Sequence, residues 1–144
     1  MTTAPLARVR QWLLGLLILE LAATLTELLL LKHFEDVLQW IPLVLMTATL
    51  AVIVWHIARP QPASVSALRI LMVCLAFAGL TGIGLHLRGS AEFQWEMDPS
   101  QTRWTIFRKA LQAQAPPALA PGIMLQMGLL GLIYAYGHTP MESD

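Results

Sequence analysis

Two glutamates interrupt an otherwise apolar run, LLGLLILELAATLTELLL, at Glu20 and Glu27. Seven residues make nearly two turns of α-helix, so the carboxylates fall about 20° apart around the axis and about 10 Å apart along it, with Thr24 on the same stripe. A carboxylate at mid-membrane costs a few kcal/mol or more, so it turns into a bundle, finds a partner or takes up a proton. The apolar runs supply no Lys or Arg at that depth. Counting residues from the membrane surface sets Glu20 level with Thr47, Thr49 and Gln126, and Glu27 near Thr81 and His86. The expectation is a neutral Glu20 hydrogen-bonded in the first layer and a Glu27 paired with His86 or Arg88. Two readings compete for this polar set of Glu20, Thr24, Glu27, Gln126 and His86. One is a proton or cation site with the two glutamates as successive stations. The other is polar glue between helices or subunits, which needs no transport chemistry and is the simpler reading.

The histidines form a second constellation. His33, His56, His86 and His138 each fall at or beyond the end of a different apolar stretch, His33 and His86 toward one side and His56 and His138 toward the other. Two stacked bis-histidine haem sites have this outline. The arrangement resembles the membrane b-type cytochromes in number and sides only. Haem ligands project from helices into a bundle, whereas His33 and His138 lie past the apolar limits, where an amphipathic ring needs no ligand role. A divalent metal is a further option, because His33, Glu35, Asp36, His86, Glu92, Glu96 and Asp98 share one side. The His-Glu-x-x-His spacing is absent, and solvated loop acids explain these residues as well. Cys74 is the only cysteine and falls in an apolar stretch, so it reads as a small hydrophobe. No Ser/His/acid set or CxxC pair points to hydrolysis or disulfide exchange, and enzyme activity is not the first reading.

The elements that must position these groups are four apolar stretches, 12–31, 40–58, 69–87 and 118–136, the last three without Asp, Glu, Lys or Arg between their ends. Each is about the length a helix needs to cross a roughly 30 Å hydrocarbon layer. Trp12, Trp40, Trp55 and Tyr136 mark their ends, as interfacial aromatic rings do. The expected fold is an all-α, integral membrane four-helix bundle, a single membrane domain over 1–144. A short amphipathic interfacial helix at 99–114 is expected between spans 3 and 4. Asp98 suits its cap, Pro99 its first position and Gln101 a capping box, and Pro116-Pro117 would stop it. Trp104, Phe107 and Leu111 share one face there. Small residues four apart, Thr47/Ala51, Ala78/Gly82 and Gly131/Ala135, suggest close helix contacts. The run Gly79-Leu80-Thr81-Gly82-Ile83-Gly84 is a helix-contact segment rather than a phosphate loop, since it lies inside an apolar span. Pro121 suits a first helical turn and implies no kink.

Arg8 and Arg10 before Leu13–Leu19 and Leu21-Ala22-Ala23 imitate a secretory signal, but hydrophobicity resumes at Leu25, so a retained anchor is expected. Arg8, Arg10, Arg59 and Arg69 place both termini on the cytoplasmic side of a bacterial inner (plasma) membrane, with Arg88, Arg103, Arg108 and Lys109 as a counter-signal. Formal charge is +0 and the basic residues are scattered, which excludes the footprint of a nucleic-acid binder. By elimination, the sequence reads as a small accessory or structural subunit in the lipid bilayer, contacting a membrane-protein partner or its own copies.

Overall fold

The computed structural model describes residues 3–113 and 119–136, all of whose regular structure is helical. Five α-helices follow one another: α1 (Thr3–Leu30), α2 (Trp40–Ala58), α3 (Pro62–Met97), α4 (Arg103–Leu111) and α5 (Gly122–Ala135), with one 3-10 turn (Val37–Gln39) leading into α2. Helices α1, α2 and α3 are each long and apolar enough to cross a membrane. In such a solvent every backbone N–H and C=O must be paired internally, which an α-helix alone achieves within one segment.

The fourth apolar stretch departs from expectation. Helix α5 has 14 residues, about 21 Å at 1.5 Å per residue, short of a roughly 30 Å layer. Pro121 stands at its N-cap instead of inside its first turn, and residue 118 lies outside the described residues. In α3 the deviation is the other way: the helix does not stop near residue 87 but runs 36 residues to Met97, about 54 Å. Between residues 88 and 97 Gly89 is the one glycine, at a cost of about 1 kcal/mol, and an Arg88–Glu92 pair at 2.7 Å supports the same turn.

The chain then reverses. Asp98 closes α3 instead of opening the next helix, and its Oδ1 accepts from the Ser100 N–H at 3.1 Å and the Ser100 hydroxyl at 2.6 Å. Thr102 is the N-cap of α4, accepting from the Thr105 N–H at 3.3 Å. The helix expected over 99–114 is therefore Arg103–Leu111, and the expected stop at Pro116-Pro117 lies outside the described residues. Ile106 and Ala110 are buried where α4 packs back on α3, while Trp104 and Phe107 are exposed and touch each other, ring centroids 5.8 Å apart. The two faces are separated because residues 106 and 110 lie about 120° around the helix from the 104–107–111 stripe.

The core sits between α3 and α5, with α2 on α3 and α1 against α5 and α2. Leu17, Leu21, Met46, Leu68, Met72, Leu75 and Met127 are fully buried there. Glycines set the approach: a Cβ at Gly128 would lie 2.6 Å from the Met72 carbonyl oxygen and 2.7 Å from the Ala76 nitrogen, and one at Gly79 would lie 2.5 Å from the Leu125 nitrogen. Gly82 against Pro121 and Gly131 against Met72 complete the seam. The close glycine contacts are spaced by three, Gly79/Gly82 and Gly128/Gly131; of the expected pairs, Gly82 and Gly131 belong to this seam, Ala135 is buried in the core and Ala78 packs against it. Thr47 and Ala51 are exposed along a groove and bring no helix close.

Candidate functional site

Glu20 and Gln126 meet. The Gln126 side-chain amide donates to Glu20 Oε1 at 3.0 Å, joining α1 to α5 across 106 residues of chain. Glu20 lies ten residues from both Arg10 and Leu30, about 15 Å along the helix from either. That is mid-depth for a membrane of ordinary thickness. Its second carboxylate oxygen, Oε2, is buried and has no hydrogen-bond partner among the described residues. Gln126 is exposed and shares its face of α5 with Leu129 and Ile133, which are 51% and 61% exposed. The pair therefore lies at the margin of the bundle, not in its core.

The remaining members of the stripe are not gathered with it. Thr24 is half-buried one turn above Glu20, and Glu27 is exposed with no ion pair among the described residues. Arg88, offered above as its partner, instead donates to Glu92. Thr49, level with Glu20 by residue count, is fully buried and bonds back to the Leu45 carbonyl oxygen at 2.7 Å. This back-bonding is the usual recourse of a threonine inside an apolar helix.

His33 lies close enough to His86 to feel its charge. Burial first, and His86 second, hold the His33 imidazole below its ordinary value. The acids expected to converge with them do not: Glu92 pairs with Arg88 and Asp98 turns to Ser100. Among the described residues no three His, Cys, Asp or Glu side chains come together in a group able to hold a metal ion.

His56 belongs to a polar cluster at the opposite end, where α2 stops, α3 starts and α5 ends. Its Nδ1 lies 2.9 Å from Ser64 Oγ and its Nε2 3.1 Å from the Tyr134 hydroxyl, and all three side chains are buried. The Ser64 hydroxyl donates to the Gln61 carbonyl oxygen at 2.8 Å, so toward the imidazole it accepts. Nδ1 then carries the proton, and Nε2 accepts from Tyr134. With both ring nitrogens engaged, His56 presents no lone pair to a haem iron, and His138, its expected counterpart, lies outside the described residues. Two guanidinium groups close the same end: Arg69 donates to the Ala135 carbonyl oxygen at 2.8 Å and Arg10 to that of Tyr136 at 3.0 Å. Both are cations on the terminal carbonyls of a helix, where its dipole favours positive charge.

Ser64 and Tyr134 stand out nowhere in the sequence, and Arg10 and Arg69 stand out there only as orientation signals. One signal for them existed: each is a polar group within a few residues of an apolar limit on the side shared with His56. A second depression lies between the end of α3 and α4, lined by Glu92, Trp95, Glu96, Arg103 and Phe107. No family model, curated protein or solved structure matches this chain.

Proposed function

We propose that this chain is a small accessory or structural subunit of a membrane assembly, a four-helix bundle in the bacterial inner membrane with both termini on the cytoplasmic side. In this reading its α1/α5 face docks on a membrane-embedded partner. The observation that carries the reading is the Glu20–Gln126 pair at the bundle margin. Burying a carboxylate at mid-depth costs about 2.5 kcal/mol or more. One interhelical hydrogen bond in lipid returns only about 0.6–2 kcal/mol. Further protein contact over the pair offsets the difference, whereas bare acyl chains do not. The partner face contains Leu19, Leu129 and Ile133 around the polar pair, apolar enough to stay in lipid before assembly.

Photo-crosslinking in native membranes tests this. A crosslinker placed at Leu19 or Leu129 is expected to capture a protein neighbour, and one at Phe77 or Val54, on other exposed faces, to capture lipid. Uniform capture of lipid at all four positions removes the reading.

A proton or cation role for Glu20 has one observation in its favour, the buried Oε2 that has no partner among the described residues. In proteoliposomes that role requires a flux that Glu20→Gln abolishes. The docking reading expects none from either protein.

A further inference from the structure

Helices α1 and α2 are joined by a short loop yet part along their loop-side halves, leaving a groove of about 480 Å³. Leu25 and Leu29 form one wall, and Trp40, Val44, Thr47 and Ala51 form the other. The groove follows α2 from Trp40 to Ala51, a rise of about 16 Å. This is close to half of a roughly 30 Å hydrocarbon layer, the depth of one leaflet.

Its lining decides what fills it. The walls are apolar but for Thr47, and they run side by side along the helix direction, so an extended hydrocarbon chain laid along α2 would meet apolar side chains on both sides. The small side chains Thr47, Ala48 and Ala51 supply the room, and Trp40, held against Phe34 with ring centroids 6.1 Å apart, stands at the rim.

The loop over the open end carries both signs of charge, Lys32 and His33 followed by Glu35 and Asp36. A phosphate beside Lys32 and an ammonium beside the two acids would each meet an opposite charge, whereas a purely anionic headgroup would face both acids unscreened. We propose that the α1/α2 groove is a binding site for one acyl chain of a zwitterionic, ammonium-bearing phospholipid, with its headgroup under the 31–36 loop.

Native mass spectrometry of the full chain, stripped of lipid in detergent and then offered palmitoyl-oleoyl phosphatidylethanolamine, reads the site directly. Wild type is expected to retain one lipid per chain and to prefer it over the phosphatidylglycerol of the same chains. Ala48→Leu/Ala51→Leu, which fills the groove, is expected to lower occupancy about tenfold or more. Cys74→Leu, an enlargement at an exposed position of α3, leaves it unchanged. Should the double variant fold poorly by circular dichroism, Ala48→Leu alone gives the same comparison. Absence of retained lipid in wild type, equal retention by the filled variant, or no headgroup preference overturns the proposal. So does a wild-type dimer that the filled variant dissociates, since a second copy would then occupy the groove.

Discussion

At the level of single residues, the buried His56–Ser64–Tyr134 set ties three helix ends together with every assigned donor matched to an acceptor. Tyr134→Phe removes one hydroxyl and keeps the ring. It is expected to cost about 1 kcal/mol, read as a lowered thermal midpoint in detergent, with no change in helix content. His33 carries the pH dependence. Burial and the nearby His86 hold its imidazole below the ordinary 6.5, so a released loop binds more protons than the docked one as pH falls. The contribution of a neutral His33 is therefore complete above 6.5 and is lost as pH drops through the lowered folded value. Hydrogen exchange of the 31–36 loop should accelerate on acidification in wild type and respond less in His33→Gln. An equal response in the two proteins would show that His33 is not the group responsible. His33 and His86 were visible in the sequence as a same-side pair. The Ser64 and Tyr134 roles were not, because a contact between residues 56 and 134 leaves no mark on local periodicity.

Among the helices, the α3/α5 seam is the most demanding. Gly128→Ala drives a Cβ into the Met72 carbonyl oxygen and the Ala76 nitrogen, and backbone atoms cannot swing aside as a side chain can. The two helices must separate, at an expected cost of about 1–3 kcal/mol. Gly84→Ala meets nothing within 4 Å and should be neutral or stabilising by up to about 1 kcal/mol through helix propensity. Opposite signs for the two variants in detergent unfolding would locate the tight contact in the seam; equal effects would refute it. Helix α4 rests on its cap. Thr102→Ala loses the bond to Thr105 N–H and is expected to cost about 1 kcal/mol, seen as faster amide exchange confined to Arg103–Leu111. The positions of the long helices were legible because apolar length is a property of contiguous sequence. Their ends were less so. Asp98-Pro99 reads as a helix start, yet the helix before it had not finished: Ala91, Glu92, Gln94 and Glu96 sustain α3 past its apolar limit, where hydropathy gives no boundary but helix propensity persists.

For the molecule as a whole, the all-helical membrane class was readable from the long apolar stretches, while the shortness of α5 was masked by apolar residues that flank it without extending it. Orientation is the property that the arrangement leaves to charge. The end with Arg8, Arg10, Arg59 and Arg69 has four basic residues against five, Lys32, Arg88, Arg103, Arg108 and Lys109, at the other, so a bare count of Lys and Arg opposes the proposed topology. Two arguments outweigh that small excess. The first helix usually dominates insertion, and its N-terminal flank holds Arg8 and Arg10 with no acid nearby. At the far end the basic residues lie on an extension in which Arg88 is already bonded to Glu92, and three of the five stand at 103–109 on α4, which the chain reaches only after α3 has run ten residues, about 15 Å, past residue 87 and turned back. The proposal therefore predicts opposite labelling of two loops. In a chain with Cys74→Ala, a membrane-impermeant maleimide applied to intact spheroplasts should modify Ser100→Cys at once and Gln61→Cys only after permeabilisation. Arg8→Glu/Arg10→Glu should shift part of the population to the reverse pattern, because it removes the dominant determinant while leaving the five distal cations in place. Immediate labelling of Gln61→Cys in the otherwise unaltered chain would invert the topology and, with it, the leaflet in which the α1/α2 groove opens.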